Sequence, residues 1–301
     1  MATTSLLDRI RKSEAASGLA LISPTALYAT LLLAAPLATV LLYSVLTDGD
    51  QPGQIIWNFT LGNYAETWGR DVYRAIMWRS LIVSVSVTAI TVILAYPVAY
   101  FVSFNVPASK KSLWLFLITI PFWTSYVIRV FIWKGIILGY NGVINTALMK
   151  IGLISEPLQA INYNAGAMVM TLAHAYAPFA ILPIFVSLEK IDRALLEAGQ
   201  DLGENRLLTF WRVTLPLSMP GVIAAVLIVV IFVGQGAPHV TPTLIGGGKV
   251  PLIATMIQIT MLKQHQIAMG SAIAVTAMLI VCLVSVVFLL LNRRFLKGQS
   301  R

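Results

Sequence analysis

The run Gly246, Gly247, Gly248, Lys249 is the closest this chain comes to a phosphate-binding loop. Such a loop needs Gly, four residues, Gly, Lys and then Ser or Thr, so that backbone amides, an ammonium and a hydroxyl converge on phosphates and magnesium. Here Thr243 stands at the first glycine position and Val250 where the hydroxyl belongs, so the chain cannot hydrolyse ATP through this motif. His174, His239 and His265 lie far apart and belong to no His-Glu-x-x-His pattern, which leaves no legible metal site. The lone Cys282 sits in an apolar run; it reads as a packing residue and excludes a disulfide framework. Neither Asp nor Glu occurs in any of the long apolar runs, which removes the carboxylate relays that proton-coupled carriers commonly use. What remains inside those runs is His174, Arg129 and Lys134. His174 either hydrogen-bonds a neighbouring helix or lines a wet cavity.

The elements that hold these residues are set by composition. Of 301 residues, 58% are hydrophobic and 11% charged, and the mean hydropathy is +0.83. A soluble domain carries roughly 25% charged residues, so a soluble fold is excluded. The net charge of +9 does not point to nucleic acid, because Lys and Arg fall mainly in short segments between apolar runs and form no water-facing stripe. Stretches of roughly 20 apolar residues cross a bilayer core. Six are present: Ala20 to Leu46, Ser80 to Phe104, Leu113 to Leu138, Ala167 to Val186, Gly221 to Val233 with its flanks, and Met269 to Leu291. The reading is an all-α polytopic membrane protein with six transmembrane helices. It has one membrane domain over residues 20–291, a short N-terminal segment over 1–19 and a tail over 292–301. Pro24, Pro36, Pro97, Pro121, Pro178 and Pro183 predict kinked helices around a cavity.

Lys and Arg number three before the first run, two in Val106 to Ser112, four in Ser187 to Arg212 and four in the tail, thirteen on one side. The opposite segments hold six. The positive-inside rule then places both termini in the cytoplasm. The first run is far longer than the 7 to 15 residues of a signal-peptide core, so it reads as an uncleaved anchor. Ser5 to Lys12 forms either a short interfacial helix or a solvated tail.

The loop between the fourth and fifth runs carries the most information. Asp192 is a good N-cap, the residues after it favour helix, and Gly203 suits the left-handed position that ends one. This predicts a helix of about ten residues lying along the membrane surface, with Leu195, Ala198, Gly199 and Leu202 on one face. Its alternative is a solvated connector. Glu197, Ala198, Gly199, three residues, Gly203, nine residues, then Val213, Thr214, Leu215, Pro216 resembles the EAA loop of the membrane subunits of binding-protein-dependent ABC importers. Gly199 replaces an Ala of that pattern and Val213 an Ile, and both spacings are kept. The residues Ile120 to Thr124, Ile128 and Arg129, Leu188 to Asp192, and Pro216 to Gly221 further resemble the spermidine/putrescine-type permeases, over roughly residues 20 to 295.

That resemblance implies a type I importer permease fold in a bacterial inner membrane, paired with a second permease or a copy of itself. Two cytoplasmic ATPases, which hold ATP and magnesium, and an extracytoplasmic solute-binding protein complete the assembly; this chain holds no cofactor. The loop over residues 187–216 would couple to the ATPase. Glu197 and Asp201 would pair with basic ATPase groups, and Ala198, Gly199 and Gly203 would allow close approach, with Leu202, Leu215 and Pro216 completing the coupling set.

For the pathway, Arg129 lies 16 residues into the third run, about 24 Å at roughly 1.5 Å per residue. It either lines the route or pairs structurally, and Trp123 and Tyr126 share its region. The Gly- and Pro-rich loop from Gly234 to Pro251 adds His239 and Thr241. Many polyamine-type relatives carry a carboxylate near this segment, and here the neighbours are Ala237, Pro238 and His239. The solute is therefore read as a polyamine, an opine, an aminophosphonate or a similar small organic molecule. An ion-coupled carrier or a channel without an ATPase is the alternative of a different class.

Overall fold

A computed structural model describes residues 14–137, 142–158, 163–234 and 240–296. The expected interfacial helix at Ser5 to Lys12 and the pathway residue His239 lie outside the described residues.

Among the described residues, five unbroken helices are long and apolar enough to cross a membrane. They are α1 (Glu14–Ser44), α3 (Asp71–Phe104), α7 (Ala165–Glu189), α10 (Leu215–Gly234, continuous with helical turns back to Arg206) and α13 (Ile267–Leu296). The third expected span is the departure. It is split into α4 (Ala108–Thr119) with a 3₁₀ turn Ile120–Trp123, and α5 (Tyr126–Ile137), bent by 90° at the break. Pro121 lies in that turn and Thr124 is extended at φ −90°, ψ 148°, its hydroxyl donating to the Pro121 carbonyl at 2.8 Å. The hydropathy runs unbroken across the bend, which is why the sequence reads as one span. The depth of 24 Å assigned to Arg129 presumed a straight helix and does not hold.

Shorter elements close the ends. A two-residue-per-strand hairpin, β1 (Thr47–Asp48) and β2 (Ile55–Ile56), pairs Thr47 with Ile56. Then come α2 (Gly62–Gly69), α6 (Val143–Lys150), α8 (Arg193–Asp201), α9 (Arg206–Thr209), α11 (Val240–Leu244) and α12 (Ile253–Gln258). The Asp48 carboxylate accepts from the Ala268 N–H at 2.8 Å and the Met269 N–H at 3.0 Å, so it caps α13 from 220 residues away in sequence. The first amides of a helix lack intrahelical partners and favour a negative charge.

The centre of the bundle is α7, packed against α3 and α10. Lipid tails are as apolar as Leu, so helices associate through close packing of small residues and not through hydrophobic exclusion. Ala99, Ala180 and Ala225 are fully buried at these contacts. Gly221 of α10 lies so close to α7 that a Cβ there would collide with Ser187 and meet the Pro183 carbonyl oxygen at 2.5 Å. Prolines inside α3, α7 and α10 leave those helices continuous. Four buried hydroxyls are satisfied inside their own helices: Thr88, Thr91, Thr171 and Thr276 each donate to the carbonyl four residues earlier. By contrast α1 is peripheral, with Leu21, Leu27 and Leu33 largely exposed, and it packs on α13.

Candidate functional site: a tied surface helix and a broken span

At one end of the bundle the chain leaves α7, forms α8, reverses at Gly203 and enters α10 through α9 and a π-helical turn at Phe210–Thr214. Asp192 Oδ1 accepts from the Ala194 N–H at 3.0 Å, the cap expected from the sequence. Gly203 has φ +86°, the left-handed reversal, and its N–H donates to the Gln200 carbonyl at 2.9 Å. Asn205 opens α9 by accepting from the Leu208 N–H at 2.8 Å.

The faces of α8 differ from the expected arrangement. Leu195, Glu197, Ala198, Asp201, Leu202 and Gly203 are exposed, and Leu202 is 86% accessible. Gly199 is buried, and a Cβ there would sit 3.4 Å from Thr209 Cγ2. The glycine thus faces this chain's own returning segment, and its smallness serves the packing of α8 on α9. Leu215 and Pro216 are half-buried at the start of α10.

Contacts invisible in the sequence tie this loop to the bundle. Glu189 Oε1, at the end of α7, accepts from Ser103 Oγ of α3 and from Lys111 Nζ of α4, both at 2.6 Å. Arg193 donates to the Ser103 carbonyl at 3.4 Å. Phe210 stands edge-on to Tyr96 and Tyr100 of α3, at centroid distances of 5.6 and 6.1 Å. Tyr96 is in turn hydrogen-bonded to Ser218 of α10 at 2.7 Å. Four of the bundle's helices therefore meet at the base of α8. The only local signal was the pair Lys110 and Lys111, legible in sequence as topology charge alone.

At the broken span the structure brings Tyr126, Arg129 and Thr241 together. The Tyr126 hydroxyl is hydrogen-bonded to Thr241 of α11, a fully buried residue. The Arg129 guanidinium lies over the rings of Phe122 at 5.0 Å and Tyr126 at 5.7 Å, and donates to the Ala175 carbonyl of α7 at 3.3 Å. Its Nε is buried with no hydrogen-bond partner. Phe122 meets Phe179 at 4.5 Å, and Phe179 stacks on Phe232 of α10 at 4.9 Å. Trp123 stands apart, 79% exposed with its ring edge toward Phe116. His174 accepts at Nδ1 from Trp133 Nε1 at 3.1 Å, which gives it the structural partner that was one of its two readings. An aromatic seam with a cation at its centre thus joins both halves of the broken span to α7 and α10.

Removing that cation tests how much it holds. Arg129→Gln should lower the thermal midpoint of the detergent-solubilised chain by the equivalent of roughly 1–2 kcal/mol, the value of partly desolvated cation–π contacts. An unchanged midpoint would show that the aromatic seam holds the bend without the guanidinium.

No family model matches the chain. Among curated proteins it is 35% identical over 263 residues to the spermidine/putrescine transport system permease protein PotB of Haemophilus influenzae, covering 86% of this chain and 90% of that protein. The PotB of Escherichia coli is 34% identical over 230 residues, covering 76% and 82%. Among solved structures, a chain of a bacterial ABC transporter involved in import of the acidic polysaccharide alginate superposes with a TM-score of 0.70 at 16% identity, covering 91% of this chain and 94% of that one. That likeness concerns the fold.

Proposed function

Because this chain belongs to the permease family of spermidine/putrescine ABC transport systems, and is thus a multi-pass membrane permease subunit of an ABC importer, we propose that α8 is its coupling helix and a small aliphatic polyamine its solute. The observation that carries the coupling role is the exposed apolar pair Leu195 and Leu202, flanked by Glu197 and Asp201, on a helix whose base is bonded to α3, α4 and α7. One of the importer's two ATPase subunits seats on this face. Closure of the ATPase pair on ATP displaces α8 as a rigid lever, and the contacts at Glu189 and Phe210 pass the displacement to the bundle. The thirteen-to-six distribution of Lys and Arg supports placing this face and both termini in the cytoplasm. A second permease subunit and an extracytoplasmic solute-binding protein complete the importer.

The polyamine reading is supported by the relatives, which are permeases of spermidine/putrescine transport systems. Within this chain the alkylammonium groups would meet aromatic faces, since cations are attracted to ring faces within about 6 Å and the spans lack interior carboxylates. Arg129 is then a structural cation, stacked and bonded to the Ala175 carbonyl.

Leu202→Glu, alone and with Leu195→Glu, tests the coupling role. The ATPase is expected to co-purify with the wild-type chain and to be lost by about tenfold or more with the pair, because burying an unpaired carboxylate at an apolar contact is costly. Labelled putrescine uptake should fall in parallel and be competed by spermidine. Retention of the ATPase by both variants would remove α8 from the interface, and uptake indifferent to ATP depletion would favour an ion-coupled carrier.

A further inference from the structure

Between the end of α7, the start of α10 and the last turn of α13 lies a groove of about 370 Å³ that Leu195 and Pro216 of the coupling loop border on one side. Ser187, Lys190 and Arg294 contribute polar lining, and Leu217, Pro220 and Phe295 apolar lining. Ser187 is 7% exposed and its Oγ has no hydrogen-bond partner. A buried hydroxyl left unpaired costs free energy that a ligand oxygen would recover. Lys190 and Arg294 form no ion pair among the described residues; the Arg294 guanidinium rests over the Phe295 ring at 4.7 Å. The one carboxylate at the groove, Asp192, is engaged in capping α8.

A second groove lies close by along α13. Leu291 lies three residues before Arg294 on α13, one helical turn away, and with Phe288 it lines a groove of about 540 Å³ formed with α3 and α10. That groove is apolar apart from Thr88 and Ser285. Two cations and a buried, unpaired hydroxyl therefore line one groove, and an apolar groove lies one helical turn back along the same membrane-length helix.

We propose that these two neighbouring grooves together bind one anionic phospholipid. Its phosphate is held by Lys190 and Arg294 and accepts from the Ser187 hydroxyl, and an acyl chain lies along α13 beside Leu291 and Phe288. The charge selects an anionic head, and the neighbouring apolar groove selects a lipid over a free anion; basic pockets between transmembrane helices are a known form of lipid site. Lys190 precedes the α8 cap by two residues and Pro220 adjoins the α7–α10 contact, so the lipid would brace the joint on which the coupling proposal rests.

The test measures lipid retention, which needs neither ATPase nor solute. The chain is passed through nanodiscs of phosphatidylcholine containing a minor fraction of phosphatidylglycerol, re-solubilised, and its retained phospholipid counted by native mass spectrometry. The wild type should retain phosphatidylglycerol in preference to phosphatidylcholine, and Lys190→Gln with Arg294→Gln should reduce that retention about tenfold or more, as expected for the loss of two charge-assisted bonds. Lys190→Arg with Arg294→Lys should restore it, which separates charge from misfolding. Inorganic phosphate should not displace the lipid. No preference in the wild type, equal retention by the neutral pair, or displacement by inorganic phosphate would each overturn the proposal. Normal retention with no effect of ATPase on uptake would leave the lipid site standing and sink the coupling reading instead.

Discussion

Gly221→Val should prevent the chain from accumulating as a folded membrane protein. At this position α10 crosses α7 with no room for a side chain. A Cβ would collide with Ser187, stand 2.5 Å from the Pro183 carbonyl oxygen and 3.1 Å from Ile184 Cα. Two of those three neighbours are backbone atoms, so the strain cannot be relieved by a rotamer change and the helices must separate. Overpacking in a well-packed interior costs typically 1–3 kcal/mol, occasionally more, and a contact against backbone on a central helix pair belongs at the upper end. Gly221→Ala should show a weaker form of the same defect. The measurement is the yield of monodisperse protein by size exclusion after detergent extraction. Normal yield of the valine variant would mean that the crossing is looser than the structure has it.

The same crossing marks what can be read from sequence and what cannot. Six apolar runs gave the architecture because the bilayer fixes the length of a spanning helix. Asp192 and Gly203 gave the ends of α8 because caps are local: the acceptor and the left-handed position act within three residues of themselves. Gly221 carries no such signal, since a glycine in an apolar run reads equally as a flexible point or a tight contact. The break of the third span escaped for a related reason. Pro121 is one of many prolines in apolar runs; those in α7 leave the helix whole while this one sits at a 90° bend. Here Thr124 leaves the helix for an extended conformation, and Tyr126 just beyond it is bonded to Thr241, 115 residues away.

Long-range polar contacts were uniformly hidden. Asp48 capping α13, and Glu189 joining Ser103 to Lys111, depend on side chains whose sequence separation exceeds 70 residues. Gly199 shows a subtler limit. Helical spacing places it with Leu195, Ala198 and Leu202, but those three are exposed while Gly199 is buried against Thr209. Periodicity tells which residues share a stripe and leaves open which neighbour each part of the stripe meets. For α8 this divides the loop's small residues between two tasks: Gly199 packs the helix on its own chain, while the exposed Ala198 and Leu202 remain for a partner.

Gly203 therefore has a role separable from packing, and Gly203→Val should abolish uptake while the bundle still folds. Nothing lies within 4 Å of the position a Cβ would take, so the valine meets no clash with neighbours. Its penalty is conformational: at φ +86° an L-residue pays roughly 1–2 kcal/mol, and a β-branched one more. The chain can escape that cost only by re-routing the reversal, which breaks the bond from the Gly203 N–H to the Gln200 carbonyl and the bond from the Glu204 N–H to the Gly199 carbonyl. Losing those bonds turns Leu202 away from its presented direction and uncouples α8 from α9, whereas the α3, α7 and α10 contacts are untouched. Gly203→Asn is the matched control, because Asn tolerates the left-handed region and is accepted at helix ends. The expected pattern is normal membrane yield for both variants, near wild-type uptake and ATPase retention for Asn, and at least a tenfold loss of each for Val. Wild-type uptake by the valine variant with an intact complex would show that the reversal at Gly203 does not transmit the ATPase stroke. Equal failure of the asparagine variant would show that the glycine is needed for close approach of the partner and not for its backbone angle.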